Sequence, residues 1–110
     1  DKLPKTTCRA QTAEKKRHMR ESTIERAVCA YAKAKGCLVM KLAGPNQKGQ
    51  PDRMFIYRGK VLFIEFKAPG KQPTALQLRW LADLHEHGAH VAWCDDIGKG
   101  KEMIQTILLK

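Results

Sequence analysis

Two carboxylates and one amine carry the chemistry that this chain can offer: Asp52, after Pro51, and then Glu65 and Lys67 in the run Phe63-Ile64-Glu65-Phe66-Lys67. Two ionised carboxylates held side by side repel each other, and a hard divalent cation between them removes that cost. Oxygen donors with no accompanying Cys or His favour Mg²⁺ or Mn²⁺ over zinc. An ammonium group beside such an ion can help to deprotonate a nucleophilic water or can stabilise a pentavalent phosphate. The set outlines a metal-dependent phosphodiester hydrolase. The plainer alternative is an Asp that starts a strand and an ordinary E-x-K surface pair.

The elements that bring these groups together are legible around a turn. Arg53-Met54-Phe55-Ile56-Tyr57 and Val61 to Lys67 are β-rich runs separated by Arg58-Gly59-Lys60, which predicts a hairpin. With Arg58-Gly59 as its central residues, Tyr57 faces Lys60, and counting back brings Asp52 opposite Glu65. Alternation along a strand sends Glu65 and Lys67 to the same side. Leu62, Phe63, Ile64 and Phe66 make this strand too apolar for a solvated edge, and a central strand that carries charges inward needs a reason for them.

The remaining pattern supplies a scaffold. Residues 21–35 predict a first helix with Ile24, Ala27, Val28 and Tyr31 on its buried face and Gly36 as its stop. A strand over 37–42 follows, then a polar loop over 43–50 suited to meeting substrate. Pro69, Gly70 and Pro73 break the chain before a helix from Thr74 to about His87, whose Leu76, Trp80, Leu81 and Leu84 have core spacing. Residues 89–94 form a fourth strand, and Asp95 or Asp96 caps a last helix bearing Met103, Ile104, Ile107 and Leu108. The order αβββαβα predicts an α/β fold, a mixed four-stranded sheet flanked by helices, with a right-handed crossover through the second helix. Ser22-Thr23-Ile24-Glu25 and Thr74-Ala75-Leu76-Gln77 both have the grammar of capping boxes, so Glu25 and Gln77 have structural readings beside any functional one.

Composition narrows the partner. With 110 residues and 43% apolar content there is material for one modest core, expected over 19–110, with residues 1–18 as a basic arm outside it. No run is apolar enough to span a bilayer, no secretory stretch is visible, and a cytosolic setting is expected. Cys8, Cys29, Cys37 and Cys94 lack zinc or disulfide spacing and read as reduced packing residues. His85, His87 and His90 point to different sides of their segment and make a poor ligand set. Gly44 to Gly49 has the skeleton of a phosphate loop, but Gln50-Pro51 follows where Lys and Ser/Thr belong. The net charge is +10, with seven Lys/Arg against two Asp/Glu in residues 1–20 and fourteen against nine in residues 21–110. Such a balance favours a polyanionic partner bound with strong salt dependence. Lys41, Lys48, Arg53, Lys71 and Arg79 flank the chemical segments and are the expected DNA-backbone contacts, whereas Lys33, Lys35, Lys99 and Lys101 read as solvated surface.

Gly49-Gln50-Pro51-Asp52-Arg53, then Phe63-Ile64-Glu65-Phe66-Lys67-Ala68-Pro69-Gly70, then Leu76-Gln77 resemble the VRR-NUC family, the virus-type replication-repair nucleases of the PD-(D/E)XK superfamily. The likeness runs from about Glu21 to about Cys94. It implies that Asp52, Glu65 and the backbone carbonyl of Phe66 hold Mg²⁺ or Mn²⁺, with Glu25 reaching the ion directly or through water. It implies further that Lys67 is the catalytic lysine and Gln77 the glutamine of the second helix. Stand-alone members, often phage-borne, look like structure-specific endonucleases that act on four-way (Holliday) junctions as homodimers. The resemblance therefore implies branched DNA as partner and a phage, prophage or bacterial setting. The last helix, with Ile104, Ile107 and Leu108, is a candidate dimer face, or it simply covers the sheet. A monomeric flap-cleaving or nicking nuclease and a non-catalytic DNA-binding module are the alternatives.

Overall fold

In the computed structural model residues 19–42 and 48–110 are described. The expected arm, 1–18, and most of the polar loop, 43–47, lie outside the described residues. The elements are α1 (Glu21–Ala34), β1 (Leu38–Lys41), β2 (Arg53–Tyr57), β3 (Lys60–Phe66), α2 (Ala75–Glu86), β4 (His90–Cys94) and α3 (Ile97–Met103), which runs into a π-helical stretch, Ile104–Leu108. The expected order of helices and strands is therefore present. The strands lie in one sheet in the order β1-β2-β3-β4, antiparallel except for the parallel β3–β4 pair that α2 connects.

The hairpin sets the register of everything near the site. Arg58 (φ 49°) and Gly59 (φ 86°) both adopt the left-handed region, the twist that a two-residue hairpin loop needs. Tyr57 then pairs with Lys60 and the ladder runs back to Arg53 opposite Ile64. Arg58 stacks on the Tyr57 ring, its guanidinium carbon 5.2 Å from the centroid. The expected register is the observed one.

β3 lies inside the sheet, and its Leu62, Ile64 and Phe66 are wholly buried with Ile24, Val28 and Ala32 of α1 and with Ile104 and Leu108. The buried stripe of α1 is Ile24, Val28, Cys29 and Ala32, while the expected Ala27 and Tyr31 lie on its half-buried flanks. The helix meets the sheet at a slightly rotated face. Gly100 of α3 sits so close to α1 that a Cβ there would drive into Val28 and crowd the Cys94 Sγ at 3.0 Å. Asp96 caps α3, accepting from Lys99 N at 2.9 Å. Because Ile104 and Leu108 are fully buried, the C-terminal segment spends its apolar side chains on the sheet. Two of the three apolar residues expected on its face thus cover the sheet, and Ile107 is half-buried.

Two further expectations change. Leu76, expected in the core, is 48% exposed, because its side chain lies over Gly49 of the incoming loop instead of the sheet. The Ser22…Glu25 box does not form: Arg20 is the N-cap without a side-chain bond, so Ser22 is already inside the helix. Glu21 in the first turn complements the helix dipole instead. Cys29, Cys37 and Cys94 are buried free thiols, as read from their spacing. Among the described residues no helix is long and apolar enough to cross a membrane.

Candidate active site

Asp52 is held from both sides of the chain. Its carbonyl accepts from Leu42 N at 2.9 Å, which ties the end of β1 to the start of β2. Its side-chain Oδ2 accepts from Phe66 N at 2.7 Å, so the carboxylate continues the hairpin ladder one step beyond Arg53–Ile64, at the level of Glu65. The approach to Asp52 is clamped by α2: Trp80 Nε1 donates to Lys48 O at 3.2 Å, and a Cβ on Gly49 would meet Leu76 Cγ at 2.6 Å. Only glycine, here with φ 84°, permits that contact. The glycine before Pro51-Asp52 is thus a packing requirement of the site.

Glu65 is 2% exposed, a carboxylate buried on the strand whose alternate residues form the core. Its Oε2 accepts from Gln77 Nε2 at 2.8 Å and faces Lys67 Nζ at 3.4 Å. Its Oε1 is buried without any partner. Burial first, and then the Asp52 carboxylate, push the Glu65 carboxyl up from 4.5 to about 7, against the pull of Lys67. Asp52 is also raised, by burial and by Glu25, although the Phe66 N–H and Lys67 oppose the shift. Both acids are costly to keep ionised as they stand, and a cation would relieve that cost in both.

The donor set fits a hard divalent ion. A buried carboxylate oxygen with no hydrogen bond, next to a second raised carboxylate, asks for a positive charge, and the available donors are oxygens. Among the described residues no three His, Cys, Asp or Glu side chains group to hold an ion by themselves. Mg²⁺ commonly rests on one or two carboxylates, its remaining positions filled by backbone, water or substrate oxygens. Asp52 and Glu65 are two carboxylates that fit such an ion.

The other expected residues divide into two groups. Gln77 does two things at once: it completes the box with Thr74, its Oε1 accepting from Thr74 N at 2.9 Å, while its amide nitrogen holds Glu65. Glu25 is engaged with Arg53, its Oε2 2.6 Å from the guanidinium Nε. Lys41 lies opposite Arg53 in the β1–β2 ladder. Lys48, Lys71 and Arg79 are exposed, and among the described residues none of them, nor Lys41, makes an ion pair.

One acid at the site was missed by sequence reasoning. Glu21, one turn before Glu25 on α1, is raised by burial and then by Asp52, and it in turn raises Glu65, so it shares the field of the cluster. The signal was its spacing from Glu25: residues four apart on a helix share a face.

No family model matches the chain. A protein of Acyrthosiphon pisum secondary endosymbiont phage 1, named "Putative nuclease p44", is 38% identical over 80 residues, covering 72% of this chain and 86% of that protein. A solved structure described as "VRR_NUC domain" superposes with a TM-score of 0.70 at 26% identity, over 78% of this chain and 95% of its own. A second, "VRR_NUC domain protein", has a TM-score of 0.69 at 19% identity, over 81% and 88%, and speaks for the fold alone.

Proposed function

This chain belongs to the VRR-NUC family of nucleases, and from that premise we propose that it is an Mg²⁺- or Mn²⁺-dependent DNA endonuclease that resolves four-way junctions as a homodimer. The observation that carries the reading is the buried Glu65, with one oxygen held by Gln77 and faced by Lys67 and the other without a partner. A core position does not keep such a group without a function that needs it.

In this reading Asp52 and Glu65 would hold the ion, with the Phe66 carbonyl as a further donor, Glu25 reaching it directly or through water and Glu21 through water. A divalent cation so held supplies Lewis-acid charge at the scissile phosphate and lowers the pKa of water. Lys67 Nζ, fixed near Glu65, offsets negative charge that develops on the phosphorane as water attacks in line. Gln77 occupies Glu65 Oε2, so Oε1 is the oxygen that would be available to a cation. The Phe66 N–H fixes Asp52 Oδ2 and leaves Oδ1 free. Lys41, Lys48, Arg53, Lys71 and Arg79 bind the DNA backbone around these groups. The nuclease domain spans residues 19–110, with 1–18 as a basic arm, and it acts in the cytosol of a phage-bearing or bacterial cell.

The homodimer has a physical reason. A four-way junction has two-fold symmetry, and symmetric nicks in two strands need two active sites on a matching axis. This chain has a single Asp52-Glu65-Lys67 set.

The test is incubation with end-labelled duplex, flap, splayed-arm and four-way-junction DNA in Mg²⁺, Mn²⁺ or chelator, with the mass in solution measured in parallel. Paired symmetric nicks on the junction by a dimer are expected, and none in chelator. Equal rates on linear duplex defeat junction selectivity. A monomer that nicks one strand or trims flaps supports the alternative within the same chemistry. Salt-sensitive binding with no product in either metal reduces the protein to a DNA-binding module.

A further inference from the structure

Beside the catalytic cluster, α1 and the β1–β2 edge enclose a groove of about 340 Å³ whose lining includes Arg26 and Lys33 from the helix, Lys41 and Arg53 from the strands, and Glu25 and Cys29. Four cations thus face one carboxylate. Lys41 and Arg53 stand directly opposite each other in the ladder, an arrangement of like charges that destabilises a strand pair unless an anion lies between them. Glu25 answers only part of that need. It engages Arg53 at Nε, which leaves the terminal guanidinium N–H groups to point elsewhere.

We propose that this groove is a phosphate track that holds one DNA strand beside the cleavage site, and that Arg26 and Lys33 are strand-positioning residues of the nuclease in addition to Lys41 and Arg53. The inference rests on the nuclease reading and deepens it. Arg26 and Lys33 lie on one stripe of α1, seven residues apart, which is about 10 Å along a helix at 1.5 Å per residue. At about 3.4 Å of rise per nucleotide on one strand, that length spans about three phosphates. The track lies beside the chemistry, because Arg53 and the Glu25 that holds it at 2.6 Å both act on the Asp52 carboxylate.

Contrast with other surface cations separates a track from ordinary solvation. Lys35 and Lys101 each stand over the Tyr31 ring, 5.6 Å from its centroid, and Lys60 donates to the Leu108 carbonyl. Arg26, Lys33 and Lys41 have no ion pair among the described residues, although they converge on one concavity. Lys33, which composition alone assigns to the solvated surface, belongs with the DNA contacts. Arg53 in this account has two partners, Glu25 that holds it and a phosphate that it holds, which is how a guanidinium gains direction as well as charge.

The experiment uses the whole chain and compares R26A/K33A with R58A/K101A, which removes equal charge outside the groove. Binding to a junction oligonucleotide is measured in chelator against salt, and cleavage in Mg²⁺ at limiting DNA. R26A/K33A should lose about ten-fold in affinity near 0.1 M salt, and its plot of log affinity against log salt should flatten by roughly one to two, the slope that two phosphate contacts contribute. Cleavage at limiting DNA should fall in step, and R26K/K33R should recover most of both. A methylphosphonate that neutralises a phosphate within about three nucleotides of the nick should weaken the wild type and leave R26A/K33A unaffected. The proposal fails if R26A/K33A matches R58A/K101A, or if the methylphosphonate weakens both proteins equally. A wild type that binds with the expected slope but cuts nothing sinks the nuclease reading alone, so the two failures are distinguishable.

Discussion

The two faces of the central hairpin strand have opposite economies. On one, Leu62, Ile64 and Phe66 are wholly buried among apolar neighbours, and each contributes about 1.5–3 kcal/mol on leaving water. On the other, Glu65 is nearly as buried, yet one of its oxygens has no partner and its carboxyl is pushed up to about 7. Taking a charge out of water without full compensation costs several kcal/mol. The strand therefore carries a stabilising face and a strained one a single residue apart, and the first makes the second tolerable. Stability comes from the face whose groups are all satisfied, and the face with an unsatisfied group is where a function is to be sought.

The sharpest way to break this contrast is to truncate each face in turn. Asp52→Ala, Glu65→Ala and Lys67→Ala should each lower single-turnover cleavage by about 10³-fold or more, about 4 kcal/mol in the barrier, while thermal unfolding still reports a folded protein. Leu62→Ala should do the reverse. It should lose about 3 kcal/mol of stability in urea titrations, with cleavage per folded molecule retained. A Lys67→Ala protein that cuts within ten-fold of the wild type would remove the amine from the chemistry, and a Leu62→Ala protein of unchanged stability would remove the core from the argument.

A second prediction separates strain from mere burial. The folded-state pKa of Glu65 lies above its ordinary 4.5, so the stability tied to its protonation is fully present below about 4.5 and is lost as pH rises through about 7. In chelator, Glu65→Gln should match the wild type near pH 4.5 and exceed it at pH 8, by roughly 3 kcal/mol at most. Added Mg²⁺ should then stabilise the wild type by mass action and leave the variant unmoved. Urea unfolding at both pH values, with and without Mg²⁺, reads all of this. A Glu65→Gln protein that is less stable at pH 8 would mean that the carboxylate is satisfied in the metal-free fold and that the strained face is a misreading.

Legibility followed the same division. The hairpin and its register were readable because Arg58-Gly59 leaves few loop geometries and the apolar alternation allows no slip without turning the core outward. From the register came the proximity of Asp52 to Glu65, and from the strand period the nearness of Lys67 to Glu65. What resisted reading were tertiary decisions. Gln77 was posed as cap or site residue, and its side chain, with separate donor and acceptor ends, closes the box and reaches Glu65 at once. Leu76 has core spacing, yet packs over Gly49, since α2 must also clamp the loop that leads to Asp52. Ser22 has cap chemistry, but the helix begins before it. Capping grammar fitted Glu25, and the one local pointer to Glu21 was its spacing of four from Glu25 on the same helix face.

The two helix acids give the finest test of where the strained face ends. Glu21 shares the field of Asp52, Glu65 and Lys67, whereas the charge of Glu25 is matched at 2.6 Å by Arg53. Substitution to Gln keeps size and hydrogen bonding but deletes the charge, so it isolates electrostatics from packing. Glu21→Gln should raise the Mg²⁺ concentration that half-activates cleavage by about five-fold, the effect of removing one solvent-screened carboxylate from the field of the cluster. Glu25→Gln should raise it by less than about three-fold, because Arg53 already cancels most of that charge, and should show instead as altered DNA binding as the charge-assisted hold on the guanidinium becomes a neutral hydrogen bond. Mg²⁺ titrations of cleavage and binding curves in chelator distinguish the two. If Glu25→Gln proves the more metal-dependent variant, then Arg53 gives up its partner when the ion arrives, and the boundary between the cation site and the phosphate track lies one helical turn further along α1 than the resting geometry draws it.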